Sequence, residues 1–177
     1  MAKAYKVRDV LQLENFRDPF ARYRQHRERR ANRPGNSPPY RAAIRRLPCS
    51  VVACDTGAII DPHHLKTGPA AAERAFGRRA SDLHLVPLCR IHHEELESWP
   101  GACEPDWFWD TTAIRCHALA HDLRKAWDKA GGEKDNEAGY TAMRAVWVRF
   151  KLQAVRDLYW RDENARAQKQ PLQGRRW

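Results

Sequence analysis

Three of the five cysteines and five of the eight histidines fall between Cys49 and His93. A segment so dense in soft and borderline donors, broken by prolines and carrying only short apolar runs, is expected to be held by metal rather than by a large core of its own. The spacings divide the donors. Cys49-x4-Cys54 and Cys89-x2-His92 form a Cys3His set that suits one tetrahedral zinc pinning a loop against a helix start. The remaining His63, His64, His93 and Glu97 are too many for the same ion and are of the types an open, hydrolytic site uses. His93 and Glu97, four residues apart, share one helical face. Two sites with different jobs, one structural and one chemical, are the economical reading.

The rest of the chain bounds the partner and the compartment. Its 177 residues, 42% of them apolar, suffice for one compact domain with extensions. No apolar run approaches the roughly 18–20 residues that cross a bilayer, and no apolar signal core follows the first residues. An odd cysteine count with histidines interleaved argues against a disulfide framework, so a reducing cytoplasm, without membrane association, is expected. The formal charge is +10, and a polyanion is the partner that charge selects. Residues 1–46 hold 13 Lys or Arg against 4 Asp or Glu, whereas residues 47–177 hold 19 against 18. The excess therefore sits in a basic, partly helical arm, with Arg27, Arg29 and Arg30 as its candidate phosphate contacts.

This patterning divides the chain into an arm and linker at residues 1–40, a metal-held finger at 41–130 and a C-terminal helix with its tail at 131–177. Prolines and glycine in 32–39 are read as breaking any helix. Asp110, Thr111 and Thr112 offer caps for a packing helix carrying Ile114, Ala118, His121 and Trp127 on one face and ending near Gly131 and Gly132. Trp99, Trp107, Phe108 and Trp109 are expected to cap the finger as an apolar cluster. Cys103, Cys116, His117 and His121 lack a second convergent pair and are assigned to packing and solvent contacts rather than to another zinc. Beyond them, Tyr140, Met143, Val146, Trp147, Phe150, Ala154, Val155, Leu158 and Tyr159 make the clearest helical stripe, read as a core or partner face. The fold class is α+β, mainly helical.

The order of paired cysteines, Asp61-Pro62-His63-His64-Leu65, Ser81-Asp82, Val86-Pro87-Leu88-Cys89-Arg90, His92-His93-x-x-Leu96 and Trp107-Phe108-Trp109 resembles the HNH (His-Me finger) endonucleases. More narrowly, it is similar to the phage and prophage branch that includes the recombination-enhancement nucleases. The likeness covers about residues 47–127. It implies a small zinc-braced ββα finger with flanking helices, its first strand at 59–64, its second at 84–86 and a helix starting near Pro87, a residue favoured in a first turn. Residues 66–81 then become a hairpin insertion whose Lys66, Arg74, Arg78 and Arg79 are candidate phosphate contacts.

The resemblance also implies a mechanism. His64 is the expected general base, since a neutral imidazole takes a proton from water near neutral pH. His63, His93 and Glu97 ligate one catalytic divalent ion, Mg2+ or Mn2+, and His84 stands where the family has an asparagine that holds the base-bearing loop. Glu97 stands where many relatives have a ligating histidine, and an oxygen donor there favours hard ions. The expected substrate is DNA, cut to 5′-phosphate and 3′-hydroxyl ends in a bacterial host cell during recombination or DNA processing, with a recombinase as protein partner. A non-catalytic zinc module that binds DNA or assists recombination is the reading of a different class.

Overall fold

A computed structural model describes residues 35–74, 80–100 and 104–169, with positions 20, 24, 25 and 28 before them and side chains as far as residue 166. Arg27, Arg29, Arg30, Arg78, Arg79 and Cys103 lie outside the described residues. Contacts divide the chain into Met1–Asn36 and Ser37–Trp177. The second unit is α+β and mainly helical, with one two-stranded antiparallel sheet. Among the described residues no helix is long and apolar enough to cross a membrane.

The second unit opens on helix α1, Pro38–Arg46, inside the stretch expected to be a linker. Two prolines begin this helix rather than break it. They occupy its first turn, where an amide has no partner to lose, and Ser37 caps the end by accepting the Tyr40 amide at 3.1 Å. Tyr40, Ala43 and Ile44 recur at the spacing of one helical face and are buried. The loop that follows carries Cys49 and Cys54 to strand β1, Ile60–His64. After the short helix α2, Gly68–Glu73, and a 3-10 turn at Asp82–His84, strand β2, Leu85–Cys89, returns antiparallel to β1.

Helix α3, Arg90–Ser98, leaves β2 directly. The second strand therefore ends three residues later than the expected 84–86, and Pro87 lies inside it instead of starting the helix. Register explains why a proline is tolerated there. Pro62 faces Pro87, and the bonds from the Arg90 amide to the Ile59 carbonyl and from the Leu65 amide to the His84 carbonyl put that pair at a position where neither amide serves the ladder. The Pro87 carbonyl points away from β1 and accepts from both the amide and the hydroxyl of Ser50, at 2.9 and 2.8 Å. The cysteine loop is thus stitched to the outer edge of β2.

Three helices complete the unit: α4, Glu104–Thr112; α5, Cys116–Lys129; and α6, Asn136–Lys169. Asp110, Thr111 and Thr112, expected as caps of α5, form the last turn of α4. The Thr112 hydroxyl donates back to the Phe108 carbonyl at 2.5 Å and accepts the Ile114 amide at 3.0 Å, ending that helix before the reversal at Ala113, whose φ is +52°. The buried face of α5 is Cys116, Leu119, Ala120, Leu123 and Trp127; Ala118 and His121 face outward.

The fully buried Trp127 indole packs edge-on to Tyr40 at 5.6 Å and is overlaid by Gly132 and Gly139, where a Cβ would run into the ring. These contacts hold α1, α5 and α6 around one core. Of the expected tryptophan cluster, Trp107 and Phe108 are fully buried, while Trp99 and Trp109 remain 40% exposed. On α6, Met143 and Ala154 are buried and Tyr140, Val146, Trp147, Phe150 and Leu158 pack partly against the core, whereas Val155 and Tyr159 turn outward with Val148 and Leu152. The stripe is therefore split between two faces of the helix.

Candidate functional site

The ribbon of β1 and β2 with α3 at its end brings both donor sets together. Cys49, Cys54, Cys89 and His92 offer one ligand atom each within 4.8 Å of one another. Tetrahedral zinc with bonds of about 2.3 Å to sulfur and about 2.05 Å to nitrogen has edges of about 3.8 Å between two sulfurs and about 3.5 Å between sulfur and nitrogen. Cys54 Sγ lies 3.8 Å from Cys89 Sγ, and Cys49 Sγ lies 3.5 Å from His92 Nδ1. The 3.1 Å from Cys89 Sγ to His92 Nδ1 is short of that figure. These four side chains fit a structural metal. Burial pushes the Cys49 thiol up to about 12. Burial acts the same way on Cys54, but bonds from the Thr56 hydroxyl and amide and from the neighbouring thiols bring it below its ordinary value.

Lys151 reaches this loop from α6 and donates to three successive carbonyls: Cys49 at 3.2 Å, Ser50 at 3.4 Å and Val51 at 2.5 Å. Burial lowers its pKa, opposed by the Cys49 and Cys54 sulfurs. The last helix is thereby tied to the cysteine loop.

The second set is His63, His93 and Glu97, whose ligand atoms also lie within 4.8 Å of one another. Neighbouring residues on one helix serve different sets. Cys89 fixes the start of α3, and the 100° step between His92 and His93 sends one ring toward the sulfurs and the other toward β1. The His63 and His93 rings meet edge to face, with centroids 4.8 Å apart. His63 is 1% exposed and Glu97 46%, so the set runs from the core to the surface. Burial and the neighbouring His63 lower the His93 pKa, against the opposing pull of Asp61 and Glu97. Lys66 donates to Glu97 Oε2 and holds that carboxyl below its usual range.

His64 and His84 stand outside this set. Adjacent strand residues face opposite sides of a ribbon, so His64 points away from His63. Its Nε2 lies 3.0 Å from Oδ1 of Asp82, a fully buried carboxylate whose Oδ2 accepts the Ser37 amide at 2.7 Å and pairs with Arg41 Nε at 3.2 Å. The His84 imidazole bonds Glu73 Oε1 at 3.0 Å, and it is the His84 backbone carbonyl that holds the segment beside His64, accepting from the Leu65 amide. Lys66 and Arg74 are exposed at the start and end of the α2 segment.

No protein-family model, curated protein or solved structure matches the chain.

Three further residues shape the site, none of them given a role by the sequence, where Asp82 figures only as part of the Ser81-Asp82 motif. Glu104, at the first turn of α4, is 8% exposed. Its Oε1 accepts from His63 Nε2 at 2.5 Å, and its Oε2 accepts the Lys66 amide at 2.7 Å and the Thr67 hydroxyl at 3.0 Å. Burial raises its carboxyl pKa, but the donors from His63, Lys66 and Thr67 overcome it and leave the group below its ordinary value. Asp82 and Lys151 are the other two. Their partners lie 18 to 102 positions away, beyond the reach of any local pattern. His117 joins the same region through its Nε2, 3.1 Å from Thr67 Oγ1, and burial lowers its pKa. His121 pairs with Asp122 at the surface. Among the described residues no further donor group assembles around Cys116, His117 and His121.

Proposed function

We propose that the chain is a metal-dependent endonuclease of the HNH type, hydrolysing DNA phosphodiester bonds in phage or prophage recombination or DNA processing. The observation that carries this reading is the pair of donor sets on one β-ribbon and helix, parted at the adjacent residues His92 and His93. One set is closed and rich in sulfur, as a structural zinc site is. The other is half-open, with nitrogen and oxygen donors suited to Mg2+ or Mn2+. His63, His93 and Glu97 would hold a divalent ion, which would supply positive charge at the scissile phosphate.

The protein's own groups do the rest. A carboxylate only accepts, so the bond to Asp82 assigns the His64 proton to Nε2 and leaves Nδ1 with the free lone pair that a general base needs. Arg41 and the Ser37 amide hold Asp82 in place, and so hold the base. Lys66, Arg74 and the arm arginines bind backbone phosphates, which positions the substrate without reading its sequence. In this reading the protein works in the cytoplasm of a bacterial host, with a recombinase as partner.

Plasmid nicking with Mg2+ or Mn2+ tests the proposal. Wild type nicks and His64→Ala does not, with unchanged zinc content. DNA binding without cutting under either metal identifies a non-catalytic accessory module instead.

A further inference from the structure

The resemblance assigns Glu104 no role, yet it is a buried carboxylate with three hydrogen-bond donors, one of them His63 of the half-open metal set. It lies 41 positions from His63, on a helix whose Trp107 and Phe108 are fully buried. All three of its bonds reach one short stretch of chain, from His63 at the end of β1 to Thr67 before α2. A carboxylate with two backbone or hydroxyl donors on one oxygen and an imidazole on the other has no freedom to turn. Thr67 donates its hydroxyl proton to Glu104 and so accepts from His117 Nε2, and this extends the chain of bonds to α5. Backbone around the site is locked from outside the ribbon.

We infer that Glu104 is the positioning residue of the half-open metal set: it holds His63 with its proton on Nε2, so that Nδ1 is the nitrogen left for the cation. This rests on the reading of His63, His93 and Glu97 as a cation site, and it adds the group that orients the buried ligand. The physical reason is general. An imidazole ligand binds through one nitrogen only if the other carries the proton, and a carboxylate on that proton fixes both the tautomer and the ring plane. Losing such a carboxylate typically weakens metal binding ten- to a hundredfold.

Two measurements on the full chain test it. Long-range 1H–15N spectra before addition of Mn2+, with zinc kept in the Cys3His set, report the His63 tautomer directly. Wild type shows Nε2–H, and Glu104→Gln keeps it, because the amide oxygen still accepts. Glu104→Ala loses it. Titration with Mn2+, followed by its electron paramagnetic resonance signal, then shows Glu104→Ala binding about 10- to 100-fold more weakly than wild type, with Glu104→Gln between them. Should Glu104→Ala fail to fold, Glu104→Gln carries the test alone: weaker Mn2+ binding with an Nε2–H tautomer supports the assignment, and wild-type affinity overturns it. An Nδ1–H tautomer in wild type overturns it as well. Neither readout involves DNA cleavage. If Mn2+ binds as described and no DNA is cut, the nuclease reading fails and the role of Glu104 stands; if wild type takes up no Mn2+, the cation site itself fails.

Discussion

Replacing Lys151 by methionine separates the clamp on the cysteine loop from the core packing of α6. Methionine keeps a flexible apolar stem of similar length but donates no hydrogen bond. The ammonium it removes reaches three carbonyls, and only the bond to Val51, at 2.5 Å, is short; those to Cys49 and Ser50, at 3.2 and 3.4 Å, are long. One charge-assisted bond contributes about 1.5–3 kcal/mol, and the two longer ones add little. Burial, which already lowers the Lys151 pKa, offsets part of that gain. A net loss of about 2 kcal/mol follows. In a chain of this size each kcal/mol moves Tm by about 2–4 °C, so Lys151→Met is expected to melt about 4–8 °C lower in calorimetry with zinc present. The loop it releases carries Cys49, so zinc passes to a chromophoric chelator at lower chelator concentration than in wild type. A Tm within about 1 °C of wild type, with zinc retained equally well, would show that α6 does not brace the metal loop.

Cys89→Ser removes the thiol shared by strand end and helix start; zinc measured by elemental analysis should fall from one ion per chain to none, and a full complement would contradict the Cys3His assignment. Gly139→Ala places a Cβ 2.5 Å from Trp127 Cε3 and 2.7 Å from Gly132 Cα. Such overpacking costs about 1–3 kcal/mol, read as a lower urea midpoint with unchanged slope. The depressed Glu104 carboxyl gives stability that is fully present above its ordinary pKa of 4.5 and is lost as pH falls through its lower folded value. The Tm gap between wild type and Glu104→Gln should therefore close on acidification below pH 4.5, and a gap independent of pH would refute this. Deleting Met1–Asn36, which keeps the Ser37 cap, should weaken DNA binding and flatten its salt dependence, whereas equal affinity and slope would remove the arm from the interface.

What the sequence made legible was chemistry more than boundaries. Cys49, Cys54, Cys89 and His92 meet as their spacing implied; of the four donors left over, His63, His93 and Glu97 lie together, the set the resemblance named, and His64 does not join them. Donor types this rare, placed next to one another, leave few ways to be satisfied. Pro87 misled because its fixed φ suits a helix start as well as a strand, and only the register against Pro62 decides between them. Pro38 and Pro39 misled in the opposite sense: read as breakers, they open a helix because Ser37 stands before them as a cap. The face of α5 was displaced because Thr112 bonds back into α4, a choice that depends on where Phe108 is buried. His64 was legible as a histidine beside a metal ligand, yet its partner Asp82 is set by the 3-10 turn and by α1. Glu104 and Lys151 carry no local signature. Each acts through chain brought near it by the packing of α4 or α6.

The proposed function requires two cations, held by neighbouring residues of one helix. Anomalous diffraction from crystals grown with zinc and soaked in Mn2+ tests that directly. It should show a zinc peak among Cys49, Cys54, Cys89 and His92 and a separate manganese peak among His63, His93 and Glu97. A single peak shared by His92 and His93, or no manganese between the histidines, would contradict it.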